Sequence, residues 1–416
     1  MGERLIIDNF AGIKHIELEL TRINILIGPQ ATGKSICAKL LYLFKGFIFE
    51  LLNAIEDKSK PQLDRSFINK FKEYFPPETW HIGDFSIRYE IEGEFIEITK
   101  KGIKPKLYYS DLYYTEFRKG KQELKKSNIE NEREGRADRW RNVHNIRGAR
   151  LSEFSAGINE LSTFKQVFIP AGRSFFAILQ NSIFTFLSTN GAVDPVMTEF
   201  GRFYESVKHY PLRRYREREE YKELIDKKVE FILRGKRINI KGKDYLQLFD
   251  GRNVDLPHAS SGQQEMLPLA VILSFFPFYH PNSNGHSIYI EEPEAHLFPT
   301  SQRAIVELLA MVFTISKQPQ LQYFITTHSP YILTSLNNLM QAGYLSKVLL
   351  ESKLNELYKI VPKEQIIDPD CVSAYFLKDG KAKNISCEDT GLINACTIDE
   401  VSDELSIQFG DLLEME

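Results

Sequence analysis

Residues 28–35, GPQATGKS, place two glycines, a lysine and a serine at the spacing of a phosphate-binding loop. Gly28 and Gly33 allow a backbone path that turns successive N–H groups inward, toward phosphate oxygens. Lys34 can then reach the β and γ phosphates, and the Ser35 hydroxyl can bind Mg²⁺. The residues predicted to surround the nucleotide are Gly28, Pro29, Gln30, Ala31, Thr32, Gly33, Lys34, Ser35 and Ile36. The alternative is a glycine turn that only joins a strand to a helix.

The segments on either side of this loop are those that a phosphate site needs. Residues 23–27, INILI, form an apolar run of strand length, and SICAKLLYLF follows the loop as a predicted helix. Such a helix directs the positive end of its dipole at a bound anion. Upstream, alternating apolar and polar residues on both sides of the turn Ala11-Gly12 predict a β-rich start of the chain.

Two adjacent acids follow a second apolar run in HSIYIEEPEAHLFP. In a nucleotide site Glu291 would hold Mg²⁺ through water, and Glu292 would orient and polarise the attacking water as general base. Adjacent strand residues point to opposite faces, so both acids reach one site only where the strand ends, as Pro293 enforces. The alternative is a solvated acidic turn, which is the usual meaning of an isolated Glu-Glu pair.

A third apolar run, LQYFITTHSP, ends in His328. At the carboxyl end of a parallel strand this histidine could contact the γ-phosphate, although an isolated histidine is more often a polar residue at a sheet edge. A further candidate segment, SSGQQ, begins the apolar helix of LPHASSGQQEMLPLAVILSFF. The N–H groups at its start would bind an anion, and the alternative is an ordinary helix cap. Its predicted site residues are Ser260, Ser261, Gly262 and Gln263.

Composition limits the class of protein. The chain has 416 residues, of which 43% are hydrophobic and 26% charged, so it can bury a large core. A formal net charge of −3 argues against a protein whose whole surface binds nucleic acid. Its four cysteines lack the paired spacing of a zinc or redox site. The charged start of the chain and the absence of a long apolar run predict a cytoplasmic protein with no membrane segment.

Taken in order, GPQATGKS, SSGQQE, YIEEPEAHLFP and ITTHSP resemble the ABC-type ATPase heads of SMC and RecF proteins, and most closely the OLD-like ATPases of bacterial defence. The resemblance implies an α/β fold with a mixed-sheet core and a β-rich N-terminal lobe. It also implies ATP and Mg²⁺ as cofactors and a homodimer or larger homo-oligomer. In such dimers Ser261 and Gly262 of one protomer would close over the γ-phosphate bound by the other. Glu292 would be the catalytic base and His328 the switch residue.

The sequence departs from the family pattern in three places. The signature is SSGQQ where transporters have LSGGQ, and Glu291 stands where many relatives have aspartate. The glutamine that senses magnesium in such heads is not obvious. Gln166 precedes VFIPAGRSFF, a block that resembles an element of OLD-like heads, so Gln166 and Arg173 are candidates. An ordinary strand residue is an equally good interpretation of Gln166.

The motifs divide the chain into three parts. Residues 1–45 and 236–416 are predicted to form the ATPase head, and residues 46–235 a largely helical insertion with a head segment near 165–180. Between residues 118 and 150 there are eleven Lys or Arg and five acids. They fit a solvated helix face, a groove for nucleic acid or a surface for a partner. Asp368 and Asp370 form a D-x-D, but too few residues surround them for a TOPRIM nuclease domain.

Three functions are compatible with these features. The first is an ATPase subunit that senses infection and controls a separate effector nuclease or toxin in anti-phage defence, similar to Septu or PARIS. The second is a RecF-like repair ATPase that binds DNA and loads partners. The third is a nucleotide-gated scaffold with little turnover.

Overall fold

A computed structural model describes residues 2–80, 83–134, 139–179, 194–208, 219–240, 243–279, 284–316, 320–387, 390–394 and 407–412. The strands are β1 (Glu3–Phe10), β2 (Ile13–Leu20), β3 (Ile23–Ile27), β4 (Phe85–Ile91), β5 (Glu94–Lys100), β6 (Pro105–Tyr109), β7 (Lys165–Ile169), β8 (Gly235–Ile240), β9 (Lys243–Leu248), β10 (Asn253–Asp255), β11 (Gly285–Glu291), β12 (Gln320–Thr327), β13 (Val372–Lys378) and β14 (Lys381–Asn384). The helices are α1 (Lys34–Lys45), α2 (Phe47–Ala54), α3 (Lys60–Tyr74), α4 (Asp111–Glu134), α5 (Arg139–Gly157), α6 (Ser174–Leu179), α7 (Pro195–Lys208), α8 (Glu219–Leu233), α9 (Ser261–Phe275), α10 (Pro299–Ile315), α11 (Pro330–Val348) and α12 (Glu351–Ile360).

One large mixed sheet organises these elements. Its eleven strands follow the order β6-β5-β4-β1-β2-β14-β13-β3-β12-β11-β7. The half that contains β1, β2, β4, β5 and β6 is antiparallel, whereas β13, β3, β12, β11 and β7 are parallel to one another. A second, antiparallel sheet contains β8, β9 and β10. The predicted fold class, α/β with a mixed-sheet core and a β-rich N-terminal lobe, is confirmed.

The burial of each strand explains its sequence pattern. Every residue of β3 and β11 is buried, because helices cover both faces of the parallel half, and this explains the apolar run INILI of β3. In β4 every second residue is buried, as expected for a strand with one solvated face. Neighbouring residues of β3 enter different cores: Ile25 packs in one cluster with α9, α10 and α11, and Leu26 packs in another with α1 and α2.

Part of the region predicted to be a helical insertion is instead β-structure. Strands β4, β5 and β6 fall within residues 46–235 and extend the large sheet beside β1. The turn between β4 and β5 contains Glu92 and Gly93, both with positive φ, which is the backbone of a tight hairpin. The alternation in FSIRYEIEGEFIEITK is the sequence signal for this hairpin. The rest of this region contains helices α2 to α8, of which α4 and α5 pack against each other.

The parallel strands end at one edge of the sheet. In the strand register Ile27 lies beside Thr327, Thr326 beside Glu291, and Ile290 beside Ile169. The loops that follow β3, β12, β11 and β7 therefore leave the sheet at the same level, which is where parallel α/β sheets place ligands.

Two further predictions concern membrane-spanning helices and the cysteines. No helix among the described residues combines the length and apolar character needed to cross a bilayer. Cys37, Cys371 and Cys387 are free thiols in the described structure, and Cys396 lies outside the described residues.

Candidate nucleotide-binding site

The loop between β3 and α1 has backbone geometry that requires its glycines. Gly28 has φ of 151°, and a Cβ at this position would lie 2.1 Å from the carbonyl oxygen of Leu377. Gly33 has φ of 100° and caps the start of α1. Ala31 also has a positive φ, of 59°. A chain with larger residues at positions 28 and 33 could not follow this path, so the glycines are needed for the shape of the cradle.

Lys34 folds back over its own loop. Its Nζ donates hydrogen bonds to the carbonyl oxygens of Gly28 and Pro29, both at 2.7 Å, and lies 3.4 Å from Nδ1 of His328. Burial lowers the pKa of Lys34 to about 8, and the nearby carboxylates of Glu292 and Glu294 oppose this shift. A triphosphate would add negative charge beside this buried ammonium and so favour its protonated form.

The acids Glu291 and Glu292 occupy the end of β11, as their spacing predicts. Glu291 is buried, and its Oε2 accepts a hydrogen bond from the Ala171 amide at 3.2 Å. Glu292 has left the strand with φ of 45°, and its side chain is 40% exposed. Its Oε1 lies 3.1 Å from Nε2 of His328. Since the strand ends between them, the two acids can serve one site while having different surroundings.

Glu294 is a site residue that none of the sequence motifs predicts. One carboxylate oxygen accepts hydrogen bonds from the Thr327 hydroxyl at 2.6 Å and from the backbone N–H of His328 at 2.8 Å. It thereby fixes the segment that carries His328, since hydrogen bonds to a buried carboxylate are strong. The only local signal is a third acid directly after Pro293; its partners lie 33 and 34 residues further along the chain.

The acid edge fits a divalent cation held partly by phosphate. Glu291 Oε1 and Glu294 Oε2 are buried, and neither has a hydrogen-bond partner in the described structure. Mg²⁺ usually takes one or two protein carboxylates and completes its shell with water and phosphate oxygens. Glu291 with the exposed Ser35 can supply such a site. Among the described residues, no cluster of three His, Cys, Asp or Glu side chains could hold a metal alone.

The SSGQQ segment forms the capped start of α9. Ser260 is the cap, its hydroxyl accepts from the Gln263 amide at 3.4 Å, and the Gln263 side chain accepts from the Ser260 amide at 3.1 Å. Ser261 is exposed. Gly262 packs so closely on the chain after the acids that a Cβ would lie 2.8 Å from the carbonyl oxygen of His296. The segment is therefore a rigid, exposed helix start attached to the loop that follows Glu294.

Two weaker candidates lie in different places. Gln166 is the second residue of β7, beside Ser287, where its side chain bonds the Phe164 carbonyl oxygen and the Tyr289 hydroxyl. Its strand partner lies four residues before Glu291, so Gln166 is away from the edge that carries the site. Its contacts are those of an ordinary strand residue. Arg173 is fully buried behind the acids, where it donates to the main-chain oxygens of Glu291 and Glu292.

The two aspartates of the C-terminal D-x-D form an ion pair with a lysine. Asp368 and Asp370 both lie near Nζ of Lys347, at 2.7 and 3.4 Å. Asp368 also caps the short turn that precedes β13. These contacts explain the D-x-D without a metal.

The state of Lys34 predicts how ATP affinity depends on pH. A protonated lysine binds the triphosphate better than a neutral one, and burial lowers the pKa of Lys34 to about 8. We therefore expect ATP affinity to fall about tenfold as pH rises from about 7.5 to about 9. Equilibrium binding of a fluorescent ATP analogue at several pH values measures this. Arginine stays charged, so Lys34→Arg should abolish the dependence; an affinity of the unaltered chain that is constant over this range would contradict the assignment.

Comparison with known proteins identifies a family that this chain matches. Residues 23–334 match the family described as "AAA domain, putative AbiEii toxin, Type IV TA system". No curated protein matches the chain. The SMC head domain from Thermotoga maritima is 12% identical, with 93% of this chain and 100% of that chain covered and a TM-score of 0.38. The Smc head domain derived from Pyrococcus furiosus, bound to the C-terminal domain of ScpA, is 12% identical, with 97% and 98% covered and a TM-score of 0.36.

A structure of the recombination mediator protein RecF with ATP is 14% identical to this chain. The alignment covers 92% of this chain and 96% of RecF, with a TM-score of 0.33. The similarity to SMC heads and RecF that the motifs predict is thus found, while the closer assignment to OLD-like ATPases stays a hypothesis. Because residues 23–334 make up well over half of its length, the chain belongs to this family of AAA domain proteins.

Proposed function

We propose that the chain binds and hydrolyses ATP at sites that form between two copies of itself. One observation carries the proposal: the cradle lysine, the switch histidine and the second acid form a connected series. Lys34 Nζ lies 3.4 Å from His328 Nδ1, and His328 Nε2 lies 3.1 Å from Glu292 Oε1. These three groups follow three separate strands, β3, β12 and β11, and converge beside the phosphate cradle.

Each group has a chemical role in the proposed reaction. The backbone of residues 28–33 and the Lys34 ammonium bind the phosphates. Ser35 and Glu291 would hold Mg²⁺, which would neutralise phosphate charge. Glu292 accepts a proton from the attacking water, and His328 orients Glu292 and contacts the γ-phosphate. The partial exposure of Glu292 leaves it accessible to water, while buried Glu294 keeps His328 in register.

A second copy is needed to close the site. The exposed start of α9 has the preference of a helix N-terminus for anions, and Ser261 and Gly262 lie there. In the proposed dimer this helix start faces the γ-phosphate held by the other copy. His296, which follows the acids, adjoins Gly262, and the 74% exposed Phe298 lies two residues further along the chain, so both would lie in the same interface.

We further propose that ATP binding controls a separate effector, a nuclease or toxin, in anti-phage defence. The family description names a toxin and a toxin–antitoxin system, and the motifs resemble OLD-like defence ATPases. Both support a chain that acts together with a second protein. We propose in particular a role similar to that of the ATPase subunits of Septu or PARIS.

Co-expression with the product of the adjacent gene tests the effector proposal. We expect the two proteins to copurify and the activity of the neighbour to change on addition of ATP. Lys34→Ala, which removes the phosphate-binding ammonium, should abolish the ATP effect but not expression. Absence of copurification and of any ATP effect would reject control of an effector. Tight, salt-sensitive binding of DNA by the chain alone would instead support a RecF-like role.

A further inference from the structure

A buried pair of charged residues connects the two elements that the proposed dimer would assign to different nucleotide sites. Arg173, in the turn after β7, is fully buried, and Glu265, one turn into α9, is 2% exposed. Glu265 lies four residues after Ser261, about 6 Å along the helix. The pair therefore stands between the start of α9 and the end of β11.

The arginine side chain spans this gap with hydrogen bonds at both ends. Its Nε donates to the main-chain oxygen of Glu265 in α9 at 3.0 Å. At the other end, Nη1 donates to the main-chain oxygen of Glu291 at 2.8 Å, and Nη2 donates to that of Glu292 at 3.1 Å. A planar guanidinium holds such partners in a fixed relative geometry, which a lysine cannot do.

The carboxylate of Glu265 completes the connection. It accepts from the backbone amides of Arg173 at 3.2 Å and Ser174 at 2.8 Å, and it lies 3.8 Å from Nη1 of Arg173. The two residues thus bind each other through side chain and backbone in both directions. A displacement of α9 must displace the main chain of Glu291 and Glu292 or break this buried network, which is costly.

We infer that the Arg173–Glu265 pair couples the two ATP sites of the dimer; this inference rests on the proposed function. In the proposed dimer, Glu291 and Glu292 of a chain belong to the site that contains its own cradle. Ser261 of the same chain belongs to the opposite site. Closure of α9 on the partner's γ-phosphate would therefore be transmitted through Arg173 to the base of the chain's own site. ATP at one site promotes the active arrangement at the other.

The test compares the ATP dependence of hydrolysis in matched variants. The unaltered dimer should show a Hill coefficient above 1, for which two sites set an upper limit of about 2. Arg173→Lys and Glu265→Gln should each reduce the coefficient to about 1, the value for independent sites. ATP affinity of the dilute single chain should stay within about threefold, since the cradle is unchanged. The double variant should resemble either single variant, because both changes break one link.

Controls separate coupling from folding. Arg22→Lys is the matched control, since Arg22 also donates to a main-chain oxygen, that of Leu321, but at the opposite end of the parallel strands. It should keep the cooperativity. Glu265→Gln preserves size and one acceptor oxygen, so it can be tested even if Arg173→Lys unfolds; thermal midpoints report folding.

The possible outcomes distinguish failure of the coupling from failure of the proposed function. Hydrolysis without cooperativity in the unaltered dimer, or folded variants of Arg173 and Glu265 with undiminished Hill coefficients, would overturn the coupling alone. An unaltered chain that neither hydrolyses ATP nor dimerises with ATP would overturn the proposed function itself, and the coupling with it.

Discussion

Glu292→Gln should lower the rate of ATP hydrolysis at saturating ATP by about 10²–10⁴-fold, the usual contribution of a general base. The amide keeps the size of the side chain and an oxygen that can accept from His328, but it cannot take a proton from water. Because the cradle is unchanged, ATP should still bind, and the nucleotide-bound dimer should accumulate. Steady-state phosphate release and size-exclusion chromatography with ATP and Mg²⁺ measure the two effects.

A glutamate in the same backbone conformation provides the control. Glu92, in the turn between β4 and β5, has φ of 48°, close to the 45° of Glu292. Glu92→Gln therefore makes the same change at an equally unusual backbone position outside the site, and it should leave hydrolysis unaltered. Turnover by Glu292→Gln within about threefold of the unaltered chain would show that another group takes the proton.

The second large effect concerns stability. Glu3→Gln should lower the free energy of unfolding near pH 7 by about 3–5 kcal/mol, as expected when one partner of a buried ion pair is removed. The Lys45 and Glu3 side chains are each 2% exposed and form an ion pair. Gln322 and Tyr89 complete the network with hydrogen bonds to Glu3 of 2.7 and 2.8 Å. Chemical denaturation of both proteins measures the difference.

The stability loss should depend on pH in a specific direction. Burial lowers the pKa of Lys45, and the Glu3 carboxylate opposes that shift. Without the carboxylate, folded Lys45 loses its proton more easily than unfolded Lys45, so stability rises with pH. The deficit of Glu3→Gln should therefore shrink as pH rises from about 7 toward about 10.

An exposed ion pair on the same hairpin gives the contrast. Glu17 lies 3.3 Å from Arg4, and its side chain is 44% exposed. Glu17→Gln should cost less than about 1 kcal/mol, as is usual for solvated pairs. If Glu3→Gln and Glu17→Gln lowered the free energy of unfolding equally, burial of the Lys45–Glu3 pair would not be the cause of the larger loss expected for Glu3→Gln.

The parts of the site that lie close in sequence could be predicted from it. The cradle needs glycines at positions 28 and 33, and both the strand before it and the helix after it have clear patterns. The same holds for Glu291 and Glu292, since Pro293 marks the strand end. Adjacent placement of these motifs also follows, because parallel strands present their carboxyl ends at one edge.

Contacts between distant residues could not be predicted in this way. Glu294 has its effect through Thr327 and His328, and the pairing is visible only once β11 and β12 are neighbours. The sequence around Arg173 predicts only a residue of a glycine turn, yet its side chain binds Glu265, 92 residues later. The roles of Glu294 and Arg173 depend on their burial. A single sequence does not show directly which polar side chains are buried.

In the proposed dimer, ATP lies between the cradle of one chain and the start of α9 of another. Two double variants test this arrangement, both with Glu292→Gln: one also carries Gln30→Cys in the cradle, and the other carries His258→Cys, three residues before Ser261. Each chain has only one added cysteine, so any link between the two positions must join two molecules. A short bis-maleimide is added to the mixture with and without ATP and Mg²⁺, and the parent chain sets the background from native cysteines.

We predict an ATP-dependent cross-linked dimer in the mixture, with peptides that join position 30 of one chain to position 258 of the other. A mixture that dimerises with ATP but yields no such peptide above background would contradict the shared site.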